Sequence, residues 1–257
     1  MTGSELYHEV RGHGPAVLMI AGVASDSVSW QLQTAELEKD FKLLLFDNRG
    51  VGRSPTPEDP ISLEVMVRDA LDVMDAYQVQ KAHIVGHSMG SAIAQTLAHR
   101  HSDRVDKLVL AAPFPNLNTQ GTLAVQSWVT GLEEGCSMEL FGRLLFPWLF
   151  TDAFLSQPGC FEACLEGMKA LPYPLTAKGL RRQCEALDGF DSTSWLNEIA
   201  TPALLLAGTQ DILTPPRQAE QMAELMPNAT LKLLDAGHSA LVEKAVEFNA
   251  AVREFLL

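Results

Sequence analysis

Ala82-His83-Ile84-Val85-Gly86-His87-Ser88-Met89-Gly90 runs straight into Ser91-Ala92-Ile93-Ala94-Gln95-Thr96-Leu97-Ala98, and this stretch decides the fold. An apolar run of strand character ends at Gly86, and a helical pattern begins at once beyond Gly90. The serine between them falls on a strand-to-helix turn, the G-x-S-x-G nucleophile elbow, where strained backbone leaves the hydroxyl exposed. The flanking glycines have a steric reason, since a β-carbon at either place would press on the neighbouring strand or helix. The new helix also brings free N–H groups beside the serine, where negative charge would develop. A bare G-x-S-x-G also occurs in ordinary loops. The strand before it and the helix after it set this one apart.

Working outward, buried strands and helices alternate. Leu6 to Val10 alternates weakly and Arg11 to Pro15 reads as a turn, so the chain is expected to open with an antiparallel edge strand and its hairpin connection. Ala16 to Ile20 is a continuous apolar run, as in a strand covered on both faces, and it ends at Ala21-Gly22-Val23-Ala24-Ser25. A helix from about Ser29 to Leu37 follows. Phe41 to Phe46 is a further strand, stopped by the loop Asp47-Asn48-Arg49-Gly50-Val51-Gly52-Arg53-Ser54-Pro55. Ser62 can cap a helix reaching Tyr77, with Val67, Ala70, Leu71 and Met74 at helical spacing. After the elbow come the strand Lys107 to Ala112 and, much later, the strands Ala203 to Ala207 and Thr230 to Leu234. Helices are expected from Arg217 to Met226 and from Val242 to Leu256. The pattern predicts an α/β fold: a mostly parallel central sheet with helices on both faces, and function gathered at the carboxyl ends of the strands.

From Asn116 to Trp195 the rhythm changes. No buried strand is evident, and apolar and aromatic residues are dense, with Phe141, Leu144, Leu145 and Trp148 on one helical face and Pro147 as an expected kink or break. This segment, 116–195, reads as a helical lid inserted into a core made of 1–115 and 196–257. Most of its aromatics are core between lid helices. The side facing the elbow would line a mainly apolar pocket. Gly22, Trp128, Phe146 and Trp148 are candidates for that lining.

A net charge of −13 over 257 residues leaves no excess of Lys and Arg for phosphate backbones or anionic membranes, so no nucleic-acid or membrane partner is expected. No signal-peptide pattern and no run of membrane-spanning length is visible, and a cytoplasmic location is the expectation. Cys136, Cys160, Cys164 and Cys184 are expected reduced and packed. Cys160 and Cys164 share a helix face by spacing but lack the company a zinc site needs.

A serine hydroxyl needs a base, and the base needs an orienting carboxylate. His238, in a glycine-containing loop just past the last strand, reaches the same sheet edge as Ser88. His87 adjoins the serine but is expected to point elsewhere, and His83 to pack within its strand. For the acid, Asp211 follows a strand end in the order serine, acid, histidine; Asp235 is the alternative, nearer His238 in sequence but more suited to ending its strand. Backbone N–H groups of Met89 and Val23 are the candidate oxyanion donors.

With Gly86 to Gly90, Asp47 to Ser54, Gly208-Thr209-Gln210-Asp211 and Gly237-His238 in place, the chain resembles the α/β-hydrolase fold superfamily over almost its whole length. Many members carry His-Gly after the first buried strand, where this chain has Ala21-Gly22. In that, and in the segments Leu144 to Phe150 and Gln183 to Asp188, it resembles 3-oxoadipate enol-lactonases and aminoacrylate hydrolases, with pimeloyl-carrier-protein methyl esterases a second similar family. The resemblance implies a serine hydrolase cleaving an ester, lactone or related acyl bond of a small to medium, partly apolar substrate, with no metal or organic cofactor, as a monomer or homodimer. The serine in the elbow argues against haloalkane dehalogenases, which use aspartate there. Lyase or C–C bond hydrolase chemistry on the same residues, and a non-catalytic ligand receptor of this fold, stay open as alternatives.

Overall fold

The apolar runs become strands whose alternate residues feed two cores. A computed structural model describes residues 5–257; the first four residues of the N-terminal stretch lie outside it. The strands are β1 (His8–Arg11), β2 (Ala16–Ile20), β3 (Lys42–Phe46), β4 (Ala82–His87), β5 (Val105–Ala111), β6 (Ala203–Gly208) and β7 (Ala229–Leu234). They form one seven-stranded sheet in the order β1-β3-β2-β4-β5-β6-β7. β1 runs antiparallel to β3, and every other pairing is parallel.

The edge strand is antiparallel as expected, but the hairpin is not there: β1 pairs with β3, not with β2. The reason is burial. β2 is an apolar strand with no exposed residue, and it takes a parallel partner on each edge, β3 and β4. The half-polar β1 is left for the rim. Gly12 and Gly14 carry the crossing at φ +70° and +108°, against the carbonyls of Glu38 and Asp40.

Leu18, Ile20, Leu44 and Ile84 point to one face, where α2 (Leu63–Ala76), α3 (Met89–Arg100) and α9 (Pro216–Leu225) cover them. Val17, Met19, Leu43 and Val85 point to the other, under α1 (Gln31–Leu37) and the C-terminal helices. Each such fully buried side chain contributes about 1.5–3 kcal/mol of transfer free energy. Ser62 stands at the start of α2, yet its hydroxyl accepts no N–H from the helix.

Between β5 and β6 lies the helical insertion: α4 (Thr119–Glu133), α5 (Met138–Leu149), α6 (Asp152–Leu155), α7 (Cys160–Lys169) and α8 (Ala177–Ala186). Pro147 does not break α5, which runs on to Leu149 and ends at the extended Phe150. A proline so near the end costs only one bond of the last turn. The C-terminal helix is divided into α10 (Ala240–Glu243) and α11 (Ala245–Leu256), with Lys244 out of helical geometry between them. All four cysteines are free thiols of intermediate burial. Among the described residues, no helix is long and apolar enough to cross a membrane.

Candidate active site

β4 ends at His87, α3 begins at Met89, and Ser88 is the single residue of the turn, at φ 53° and ψ −117°. That backbone is uncommon for a residue with a β-carbon and stores strain of about 1–3 kcal/mol. The surroundings hold it there: Ser88 N–H donates to the Ala111 carbonyl at 2.9 Å, and the Ser88 carbonyl accepts from Ser91 N–H at 2.8 Å. The glycines act as expected. A β-carbon on Gly86 would run into the Gly90 carbonyl, and one on Gly90 into the Ile20 carbonyl. Met89 is the first residue of α3, so its N–H has no carbonyl one turn earlier to bond.

The loop after β2 lies over the serine. A β-carbon on Gly22 would stand 3.3 Å from Ser88 Cβ, which places Val23 beside the elbow. The next residue, Ala24, is left-handed at φ 62°. Gln183, on α8 of the insertion, clamps this turn. Its Oε1 accepts from Ala24 N–H at 2.8 Å and its Nε2 donates to the Arg49 carbonyl at 2.8 Å, with the side chain fully buried. The replacement Gln183→Leu removes both hydrogen bonds and, with them, the side-chain tie between α8 and the turn after β2. We expect a loss of about 1–3 kcal/mol in all, read as a lower midpoint in denaturant unfolding.

Asp211 and His238 come together from the loops after β6 and β7. A β-carbon on Gly208 would strike the carbonyls of Ala236 and Gly237, so the glycine lets the two loops meet. His238 Nδ1 donates to Asp211 Oδ2 at 2.8 Å. Leu213 and Thr214 N–H groups donate to Oδ1 at 2.9 Å each, and Thr214 Oγ1 donates to Oδ2 at 2.8 Å. Burial alone would raise this carboxyl; the charge of His238 and these hydrogen bonds outweigh it and hold Asp211 below the ordinary carboxylate range. A proton fixed on Nδ1 leaves the Nε2 lone pair of His238 free to act as a base. Asp235, the alternative acid, is exposed and accepts instead from Gln210 Nε2 at 2.8 Å. The His238 loop is further tied to the insertion. Ser239 N–H donates to the Leu149 carbonyl at 2.8 Å, and Glu243 takes N–H groups from Gly237 and Thr151.

His87 does not point away from the site. Its ring centroid lies 5.1 Å from that of His238, and its Nε2 donates to the His238 carbonyl at 3.1 Å. Strand alternation puts this side chain on the same face as Val85, against Trp30, a placement that the tightness of the turn alone does not reveal. Burial first, and the adjacent His238 second, push His87 down to about 3, so it stays neutral. The unfolded chain binds a proton there below the ordinary 6.5 and the folded chain does not. Stability therefore falls as pH drops from about 6.5 toward 3. His87→Gln is expected to flatten that part of a curve of denaturation midpoint against pH.

Ser88, His238, His87 and Gly22 line one chamber of about 80 Å³, together with Trp128, Leu145, Leu149 and Leu213. It abuts a groove of about 540 Å³ between insertion and core, with Ala24, Ser25 and Leu149 as a shared wall. Of the aromatics expected in a pocket, Trp128 lines the chamber and Phe146 the groove. Trp148 lines neither and packs half-buried against the insertion's own cluster. Leu145, Leu149 and Leu213 are not among the lining residues expected from the sequence; helical spacing says which residues share a face, not which face looks down.

Comparison with known proteins agrees with this architecture. Residues 15–245 match the alpha/beta hydrolase fold family. A protein named "Putative carbamate hydrolase RutD", from Caulobacter sp. (strain K31), is 33% identical over 98% of this chain and 95% of its own. 3-Oxoadipate enol-lactonase 2 of Acinetobacter baylyi is 28% identical over 93% of this chain and 87% of its own. Among solved structures, the enol-lactonase from Burkholderia xenovorans LB400 superposes with a TM-score of 0.89 at 26% identity, covering 98% of this chain and 96% of that one. A thermophilic esterase from Thermogutta terrifontis gives 0.86 at 25% identity, with 98% and 92% covered. The sheet order, the elbow, the insertion between β5 and β6 and these similarities lead to one assignment: the chain belongs to the alpha/beta hydrolase fold family.

Proposed function

We propose that this protein is a serine hydrolase that cleaves a carboxylic ester, lactone or related acyl bond through an acyl-enzyme on Ser88. The observation that carries the reading is the 2.8 Å pair of Asp211 and His238, with His238 lining the same chamber as Ser88. In this reading His238 Nε2 takes the proton of Ser88 Oγ as the oxygen adds to the carbonyl carbon. The tetrahedral oxyanion rests on the N–H groups of Val23 and Met89. Collapse breaks the bond to the leaving group, which takes the proton from His238. Water then adds to the acyl carbon as His238 takes its proton; collapse breaks the bond to Ser88 Oγ, which recovers the proton from His238, and the acid is released. Asp211 keeps the imidazole in the tautomer this requires and stabilises it when charged. The enol-lactonase and esterase relatives support acyl-bond chemistry, and the small chamber suits a small group at the reacting carbonyl.

The test is a screen of p-nitrophenyl esters of increasing chain length, with simple lactones, alongside labelling by a fluorophosphonate probe. Turnover together with labelling at Ser88 is expected. Labelling without turnover of any acyl substrate would favour a binding protein of this fold instead.

A further inference from the structure

The groove beside the chamber has a charge character that narrows the substrate. Its wall is apolar over most of its length, with Phe150, Met168, Leu171 and Leu175 contributed by the insertion. Among the described residues lining groove and chamber there is no lysine or arginine. The carboxylate in the lining is that of Asp26, which is buried at the start of the short helix before α1 and accepts Val28 N–H at 3.0 Å. Behind it stands Asp47, fully buried. The nearby cation, Arg53, stands behind the groove wall, 5.9 Å from the ring of the lining residue Tyr173, and is already paired: Nε donates to Asp47 at 3.1 Å, Nη2 donates to Ser27 Oγ at 2.9 Å, and the guanidinium lies over the Tyr7 ring. Two carboxylates against one guanidinium leave the groove's polar end net negative. The same repulsion is felt by Asp26 itself, whose carboxyl is raised by burial and then by the charge of Asp47.

We propose that the groove receives the chain of an uncharged, largely apolar acyl substrate and turns away the same chain when it ends in a carboxylate. The inference rests on the serine-hydrolase reading, and it concerns what that site selects. A chamber of about 80 Å³ has room for the reacting carbonyl and a small group; the groove of about 540 Å³, which shares Ala24, Ser25 and Leu149 with it, is the adjoining space for the longer half of the substrate. A carboxylate carried there would shed water while the nearby guanidinium of Arg53 stays paired with Asp47, and would meet the charge of Asp26. A family resemblance to enol-lactonases does not require this preference. It follows from the residues lining this particular groove.

The test uses ethyl hexanoate and monoethyl adipate, which share a carbon count and differ in a terminal methyl against a terminal carboxylate. Acid release is followed at pH 8. The wild-type protein is expected to prefer the hexanoate in kcat/KM by about 10-fold or more at low salt. The preference should shrink as ionic strength rises from about 10 mM to about 1 M. Asp26→Asn, which keeps an acceptor for Val28 N–H, should narrow the preference several-fold. Equal turnover of the two esters at low salt overturns the inference and leaves the hydrolase reading intact, as does a preference that neither salt nor Asp26→Asn changes. The salt series needs no variant, so a failure of Asp26→Asn to fold does not remove the test. If neither ester nor any other acyl compound is turned over, the hydrolase reading fails and the inference goes with it.

Discussion

Ser88→Ala is expected to lower kcat on any acyl substrate by about 10⁵-fold or more, with KM little changed and fluorophosphonate labelling abolished. The magnitude follows from what the variant keeps and loses. The nucleophilic oxygen is gone, so no acyl-enzyme forms and the base has nothing to activate but water. The N–H groups proposed as oxyanion donors, those of Val23 and Met89, and the walls of the chamber remain, and on this proposal they would account for the residual rate above the uncatalysed one. Loss of fold is not the cause. Alanine has the same β-carbon as serine, so the strained φ of 53° is held by the same hydrogen bonds to Ala111 and Ser91. The melting temperature should stay close to the wild-type value, and that measurement separates lost chemistry from lost structure.

The second large effect is expected at Asp211. Asp211→Asn should reduce kcat by about 10⁴-fold. The asparagine oxygen can still accept from Leu213 and Thr214 N–H, which preserves the loop. Its amide nitrogen then faces His238 Nδ1 as a donor and drives the imidazole into the tautomer with the proton on Nε2, where it cannot take one from serine. Asp235→Asn is the control. Asp235 lies on the surface against Gln210 and Thr209, and its removal should change kcat less than 2-fold by the usual mildness of surface substitutions. A reversal of these two results would move the acid to the other loop.

The comparison of chain and structure separates what periodicity carries from what it does not. Strands covered on both faces are long apolar runs, and those are visible one residue at a time; β2, β3, β4, β5 and β6 fall within a residue or two of their apolar runs. The elbow was legible because Gly86, Ser88 and Gly90 each have a local steric reason. Asp211 and His238 were legible because both follow strand ends in a parallel sheet, where loops converge. Pairing was not legible at the rim: β1 to β3 in place of a hairpin depends on which strand needs two buried edges, a property of the sheet as a whole. Side-chain direction at the last strand residue was not legible either, and His87 was misplaced for that reason. The insertion was the hardest part. Its helices are apolar on more than one side, so Leu145 and Trp128 at the chamber look in sequence like Trp148, which lies away from it. Gln183 gave no signal beyond belonging to a familiar stretch, because its two partners, Ala24 and Arg49, are backbone groups more than 130 residues earlier.

The covalent intermediate is the centre of the account, and it can be weighed. Acid-quenching the protein during steady-state turnover of a p-nitrophenyl ester, followed by intact-mass and peptide mass spectrometry, reads it directly. The account predicts an added mass equal to the acyl group, on the peptide containing Ser88, absent from Ser88→Ala. Steady turnover with no adduct while p-nitrophenol is released in a burst, or an adduct on another nucleophile such as Cys164, would contradict it.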